Sequence, residues 1–86
     1  MLSLSNHTKE VTSIDGCVDK DGVSYLIGSG SDDGVVTLFK WNPNSKQVEN
    51  TFCRNIMEKS VIGLHLQKST MYITFYNSSS IFVLNF

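Results

Sequence analysis

The sequence predicts an all-β fold built from short antiparallel strands. Three observations lead to this prediction. No segment of the 86 residues keeps an apolar period of 3.6 residues, which an amphipathic helix requires. Short apolar and β-branched runs alternate with turns rich in Asp, Gly, Asn and Ser. A strand–turn–strand unit occurs twice, over residues 25–41 and 71–86, with a shift of about 46 residues.

Composition places the chain among small globular domains. Hydrophobic residues make up 41% of the chain, too many for a disordered segment. The formal net charge of −1 provides no basic stripe for phosphates, so nucleic acid is not an expected partner. The apolar runs are too short to span a membrane, and the first residues lack the features of a signal peptide. We therefore expect an intracellular protein, cytoplasmic or nuclear.

Strand patterns begin close to the first residue. Leucine alternates with serine over residues 2–5, and residues 11–14 form a second strand pattern. The residues between them are polar and turn-like. Asp15-Gly16 and the segment 19–22 carry the Asp and Gly that are typical of turns, so the second strand should end before Asp15.

Residues 25–41 form the central hairpin of the prediction. An apolar run leads into residues 28–34, of sequence Gly-Ser-Gly-Ser-Asp-Asp-Gly, and a β-branched run begins at Val35. Two strands joined by a short Asp/Gly turn make a β-hairpin. A phosphate-binding loop is the alternative for so many glycines. It is disfavoured because no helix start follows and the two aspartates would repel an anion.

Pro43 predicts the end of the hairpin's second strand, because proline has no N–H to donate to a sheet. Residues 47–53 form a further strand pattern, and residues 54–59 are a linker with a weak helical tendency. Residues 60–66 predict another strand. A last pair of strands, over residues 71–76 and 81–86, flanks a polar segment of Asn and Ser.

The residues around the hairpin make up a series of motifs in a fixed order. Asn6-His7 precedes the strand pattern at 11–14, and the segment 26–34 follows after an Asp-Gly turn. This series resembles a WD-repeat, the four-stranded blade of a β-propeller. The segment 26–34 matches the repeat almost residue by residue, and Asn6 stands where the repeat usually has Gly. The resemblance implies antiparallel four-stranded blades.

The resemblance also implies a hydrogen-bonded network inside the blade, with His7, Ser29 and Asp33 as three of its members. Phe39 stands where the family has its Trp, and Lys40 replaces the Asp of the family's name. The side chain of phenylalanine has no N–H to donate, so the hydrogen-bonded network of this blade should be incomplete and less stabilising. His, Ser and Asp are also the residue types of a nucleophilic triad. Within a blade they are a buried structural tie, so we expect no catalytic residue.

The repeated unit implies about two blades, one over residues 7–53 and a partial one over residues 60–86. The second unit is degenerate, because it lacks the Gly-His motif and has Asn85 where the Trp would be. Propellers close with about four to eight blades, so the whole chain, residues 1–86, is expected to form an incomplete propeller. Another small antiparallel sandwich with the same turns is the alternative.

The function that the resemblance implies is a non-enzymatic scaffold whose loops hold other proteins. Lys9, Glu10 and Asp32 are the candidate partner-binding residues on these loops. The two cysteines and two histidines lack the spacing of a metal site, so we expect neither a metal nor a cofactor. Two alternatives remain: a propeller that binds a small ligand or lipid headgroup, and a chain that completes a propeller by homo-oligomerisation.

Overall fold

The described residues form seven β-strands in two antiparallel sheets, so the all-β prediction is confirmed. The computed structural model describes residues 7–56 and 59–86. The first sheet consists of β1 (Val11–Val18), β2 (Tyr25–Ser31), β3 (Val35–Asn42) and β4 (Gln47–Asn55), paired in that order. The second sheet consists of β5 (Val61–Gln67), β6 (Thr70–Phe75) and β7 (Ile81–Asn85). Within the described residues, no helix is long and apolar enough to cross a membrane.

The central hairpin forms where the Asp/Gly turn predicts it. The Gly34 N–H donates to the carbonyl oxygen of Ser31 at 3.1 Å and closes the turn between β2 and β3. Gly34 has a φ of 84°, a backbone conformation that side chains other than that of glycine rarely adopt. The prediction that the second strand of this hairpin ends before Pro43 is also confirmed, since β3 ends at Asn42.

The predicted turn at Asp15-Gly16 is wrong, because β1 continues through both residues to Val18. Asp15 and Gly16 pair with Gly28 and Ile27 of β2. The Asp15 carboxylate also accepts a hydrogen bond from the backbone N–H of Leu66 at 2.7 Å, which gives an Asp in a strand a strong partner. The true turn follows β1, where the Gly22 N–H donates to the Asp19 carbonyl at 2.9 Å.

The remaining predictions differ from the structure mainly at the ends of strands. β4 runs on to Asn55, so the helical tendency assigned to the linker is wrong for its first two residues. Strands β5, β6 and β7 lie within one residue of their predicted ends. The strand predicted over residues 2–5 lies outside the described residues.

The two sheets pack face to face around one hydrophobic core. The buried side chains of the core come from both sheets: Leu26, Val36 and Leu38 from the first, and Val61, Leu66, Met71, Ile73 and Phe75 from the second. Gly30 allows the sheets to approach closely, because a Cβ atom there would lie 2.5 Å from Cγ1 of Val61. The close approach therefore depends on a residue without a side chain.

Both sheets also carry large apolar side chains on the faces that point away from this core. We define the first outer face by the side of the first sheet that points away from the core. Its large apolar residues include Ile14, Val18, Tyr25, Trp41 and Val48. We define the second outer face by Tyr72, Ile81 and Val83. Ile14 is 69% exposed and Ile81 is 66% exposed. The described residues thus expose apolar side chains on either side of their shared core.

Candidate functional site

A cluster of polar side chains lies on the first sheet, on the side of the first outer face. Nε2 of His7 lies 2.8 Å from Oγ of Ser29. Ser29 Oγ in turn lies 2.5 Å from Oγ1 of Thr37, its direct neighbour across the β2–β3 pair. Ser29 and Thr37 are both buried. The three side chains form a continuous hydrogen-bonded chain, which we call the His7–Ser29–Thr37 chain.

The imidazole of His7 has one polar atom without a partner. Its Nδ1 is buried and makes no hydrogen bond with the described residues. Burial lowers the pKa of His7 below its ordinary value of 6.5, while the negative charge of Asp33 acts in the opposite direction. The neutral imidazole is therefore the form that the folded chain favours. A neutral His7 can serve as donor or acceptor to the Ser29 hydroxyl, according to its tautomer.

Asp33 does not join this chain through a hydrogen bond. Its carboxylate accepts a hydrogen bond from the Ser31 hydroxyl and another from the Val35 N–H, the latter at 3.2 Å. The hydrogen bond from Ser31 is the main cause that lowers the pKa of Asp33. Of the three residues of the predicted network, the structure therefore hydrogen-bonds His7 to Ser29 and places Asp33 in the β2–β3 turn.

Thr37 is the member of the chain that the sequence analysis missed. Its hydroxyl lies beside that of Ser29 across the β2–β3 pair. Phe39 also lies on this side of the sheet, opposite Ile27, and the residue is buried. The signal that could have identified Thr37 was the turn itself. Counting outward from the Ser31–Gly34 turn pairs Ser29 with Thr37.

Trp41 and Lys40 lie next to each other in β3 and point to opposite sides of the first sheet. The Trp41 ring stacks on Tyr25, with ring centroids 5.8 Å apart, and belongs to the first outer face. Lys40 points to the other side and forms an ion pair with Asp19 at 3.0 Å. The hydrogen bond with Asp19 is the main cause that raises the pKa of Lys40. Lys40 thus ties β3 to the turn after β1.

The three candidate partner-binding residues lie at one end of the sheets and are all exposed. The Asp32 N–H donates to the carbonyl oxygen of Glu10 at 3.0 Å, so these two residues are adjacent. Asp32 also accepts hydrogen bonds from the hydroxyl of Ser60, which precedes the second sheet. Glu10 and Asp32 are therefore part of a tie between the sheets. The described structure gives Lys9 no hydrogen bond or ion pair.

Polar contacts also join β1 of the first sheet to β5 of the second. The Thr12 hydroxyl donates to the carbonyl oxygen of Val61 at 2.6 Å. Asp15 accepts the Leu66 N–H, and Nδ1 of His65 lies 3.3 Å from the same carboxylate. These contacts satisfy backbone groups along one edge of β5 that would otherwise be unpaired.

Clefts on the surface of the described residues are lined by side chains other than those of His7 and Ser29. One cleft of about 390 Å³ lies beside the Tyr25–Trp41 stack. Another, of about 710 Å³, lies between β3, β4 and the end of β7. Among the described residues, no group of three or more His, Cys, Asp or Glu is placed to hold a metal ion.

Comparisons of the chain with protein-family models, with curated proteins and with solved structures found no match.

Proposed function

We propose that the chain is part of a WD-repeat β-propeller and acts as a non-enzymatic scaffold for contacts between proteins. One observation carries this proposal: the two packed sheets have apolar side chains on their outer faces as well as in their shared core. The outer faces of a two-sheet sandwich meet water and are usually polar. Every sheet of a propeller has a neighbour on both faces. The outer faces therefore favour further sheets on both sides.

The geometry around Ser29 gives a second support. The resemblance implies a contact between His7 and Ser29, and these side chains are 2.8 Å apart. Ser29 is 7% exposed, and its hydroxyl is already engaged by His7 and Thr37. A nucleophile must meet its substrate, and a triad needs an acid that orients the histidine. Asp33 is hydrogen-bonded elsewhere, so a structural tie is favoured over catalysis.

A propeller that binds a lipid headgroup or another small anion is less well supported. Lys20, Lys40 and Lys68 all line the cleft of about 710 Å³. However, Asp19 and Glu49 line the same cleft, and Asp19 already pairs with Lys40. The acidic side chains would repel an anion and offset most of the attraction of the lysines. The scaffold is therefore the better-supported function.

Solution assembly tests the propeller architecture. We expect the purified 86-residue chain to associate at micromolar concentration, because both outer faces would otherwise expose apolar side chains to water. Sedimentation velocity measures the association, and negative-stain electron microscopy shows whether the assembled particles are discs around a central axis. A monodisperse monomer with a cooperative melt would contradict the propeller, and so would filaments or pairs of sandwiches without a central axis.

A further inference from the structure

The two sheets have the same strand register, including one irregularity at the same place. In the first sheet, the register between β1 and β2 shifts next to Val11. In the second sheet, the register between β5 and β6 shifts next to Val61. Counted from these two positions, β1, β2 and β3 match β5, β6 and β7. Most residues of the first three strands therefore have a positional equivalent in the second sheet.

This match relates each outer face to the core face of the other sheet. Val36 and Leu38 of β3 are buried in the core. Their equivalents in β7 are Ile81 and Val83, which belong to the second outer face. In the other direction, residues of the second sheet that pack in the core have their equivalents on the first outer face. These pairs are Leu64 with Ile14, Leu66 with Gly16, and Met71 with Ile27.

The core interface shows how two such faces fit together. Gly28 of β2 is buried beneath three large side chains of the second sheet. A Cβ atom at Gly28 would lie 3.0 Å from both Cδ2 of Leu64 and Cε of Met71. It would also lie 3.3 Å from Cδ1 of Leu66. The interface within the chain thus sets a small residue of the first sheet against large residues of the second.

The outer faces exchange these sizes at the same position. The equivalent of Gly28 on the second outer face is Tyr72, a large residue that is 38% exposed. The equivalent of Leu66 on the first outer face is Gly16, which is exposed. Gly16 lines the apolar cleft of about 390 Å³, together with Ile27. A protruding ring on one outer face therefore corresponds to a depression on the other.

The two outer faces can also meet without burying a charge. The strands of the second sheet contain no Lys, Arg, Asp or Glu. Its histidine, His65, already lies 3.3 Å from the Asp15 carboxylate. In β3 and β4, the charged residues Lys40, Glu49 and Arg54 share the register of the core-facing side. Contact between the outer faces would thus avoid the desolvation penalty of an unpaired charge.

We propose that the chain binds a second copy of itself head to tail, with the second outer face of one copy on the first outer face of the next. The Tyr72 ring would enter the cleft at Gly16 and contact Ile14 and Ile27. This contact continues the interface that already joins the two sheets within one chain. Because it joins different faces, it is heterologous and can repeat from copy to copy. The inference deepens the proposed function, on which it rests for the biological role of the contact.

Two variants that each block one face test the proposal. Gly16→Glu fills and charges the cleft, and Tyr72→Glu removes the ring. By sedimentation velocity, each variant alone should associate at least about tenfold more weakly than the unchanged chain, since either change buries an unpaired carboxylate. Mixed in equal amounts, the variants should form pairs and nothing larger, because one unblocked face of each kind remains. Val23→Glu and Tyr76→Glu, in exposed turns, are the charge-matched controls and should associate like the unchanged chain.

A second measurement uses milder changes, so that it does not depend on how the glutamate variants fold. Trp41 is the single tryptophan of the chain and lines the cleft. Its fluorescence should move to shorter wavelength as the protein concentration rises through association, because a Tyr72 ring would exclude water from the cleft. Tyr72→Phe should keep this shift. Tyr72→Ser should need about tenfold more protein to reach it, since the apolar area of the ring is lost.

The outcomes that would overturn the proposal are specific. An unchanged chain that stays monomeric would assign the two faces to a different partner. Self-association of one glutamate variant as strong as that of the unchanged chain would mean that like faces pair. A mixture of variants that fails to pair, although the unchanged chain associates, would also contradict the head-to-tail contact. So would equal concentration dependence of Trp41 emission in Tyr72→Phe and Tyr72→Ser.

These outcomes are separable from the test of the propeller. Filaments that grow through the Tyr72–Gly16 contact would support the head-to-tail contact and contradict the propeller, because a heterologous contact that does not close gives a filament. Discs from the unchanged chain, together with glutamate variants that do not pair, would contradict the head-to-tail contact alone.

Discussion

At the residue scale, the Thr37 hydroxyl is a hydrogen-bond partner of the buried Ser29 hydroxyl. The two residues are direct cross-strand neighbours, with their oxygens 2.5 Å apart. Hydroxyl pairs of this kind are among the side-chain pairs that stabilise antiparallel sheets. The Ser29 hydroxyl therefore has a partner on β3, although the side chain of Phe39 has no hydrogen-bond donor.

Removal of the Thr37 hydroxyl should destabilise the chain. Thr37→Val keeps the shape of the side chain and leaves Ser29 without one partner in a buried position, at an expected cost of about 1–3 kcal/mol in the free energy of unfolding. Urea denaturation measures this difference. Thr37→Ser keeps the hydroxyl and serves as the control. Equal stability of the Val and Ser variants would show that the hydrogen bond contributes nothing.

The effect of Phe39→Trp should depend on Thr37. In the unchanged chain Ser29 already has two partners, so an added indole N–H has little to satisfy. In the Thr37→Val background the indole can donate to Ser29, and we expect a gain of about 0.5–1.5 kcal/mol. A double-mutant cycle by urea denaturation measures the coupling. The same effect of Phe39→Trp in both backgrounds would rule out a shared partner.

The pKa of His7 predicts how stability depends on pH. Burial lowers the pKa of His7 in the folded chain below the unfolded value of 6.5, so unfolding takes up a proton when the pH falls below 6.5. The stability that comes from neutral His7 is present above that pH and is lost as the pH falls through the unfolded value toward the folded one. Urea midpoints between about pH 5 and pH 8 should therefore rise with pH.

His7→Gln tests the assignment of this pH dependence. Glutamine keeps a hydrogen-bonding group near Ser29 but does not titrate. The variant should lose most of the slope between pH 5 and pH 8, and Asp33→Asn, which removes an opposing charge, should steepen it. An unchanged slope in His7→Gln would assign the titration to another group.

At the element scale, the separation of the two sheets depends on Gly30. Adding a methyl group there would bring it within 2.5 Å of the Val61 side chain, and both residues lie in packed strands. Gly30→Ala should therefore lower the free energy of unfolding by about 1–3 kcal/mol, the usual cost of overpacking a core. Thermal or urea unfolding measures the loss.

Val61→Ala provides the matched test of this contact. It removes the two Cγ atoms that a methyl group on Gly30 would meet at 2.5 and 2.9 Å. Gly30→Ala should be less damaging in the Val61→Ala background than in the unchanged chain, because part of the clash has been removed. Additive losses would mean that the two strands do not approach as closely as described.

At the scale of the whole molecule, the outer faces should drive association. Ile14→Thr and Ile81→Thr each place a hydroxyl on one outer face without changing β-branching, and each should shift the sedimentation profile toward smaller species. Val23→Thr is the control, since Val23 is exposed in the turn before β2 rather than on either face. If Val23→Thr dissociated as far as Ile14→Thr and Ile81→Thr, the outer faces would not be the cause of the association.

The sequence by itself determined where most strands begin and end. Asp, Gly and Asn favour turns and Pro ends strands, and these preferences affect only the few residues around them. It also brought His7 and Ser29 into one prediction through a family resemblance. It failed at Asp15-Gly16, where turn-forming residues lie inside a strand. There, pairing with β2 and the Leu66 N–H outweigh the local preference.

Only the tertiary structure decided which polar groups meet. Thr37 joins Ser29 because strand register pairs them, and Asp33 turns to Ser31 and Val35 because the turn offers these donors first. Register and packing join residues far apart in the sequence, so local patterns could not have determined these contacts.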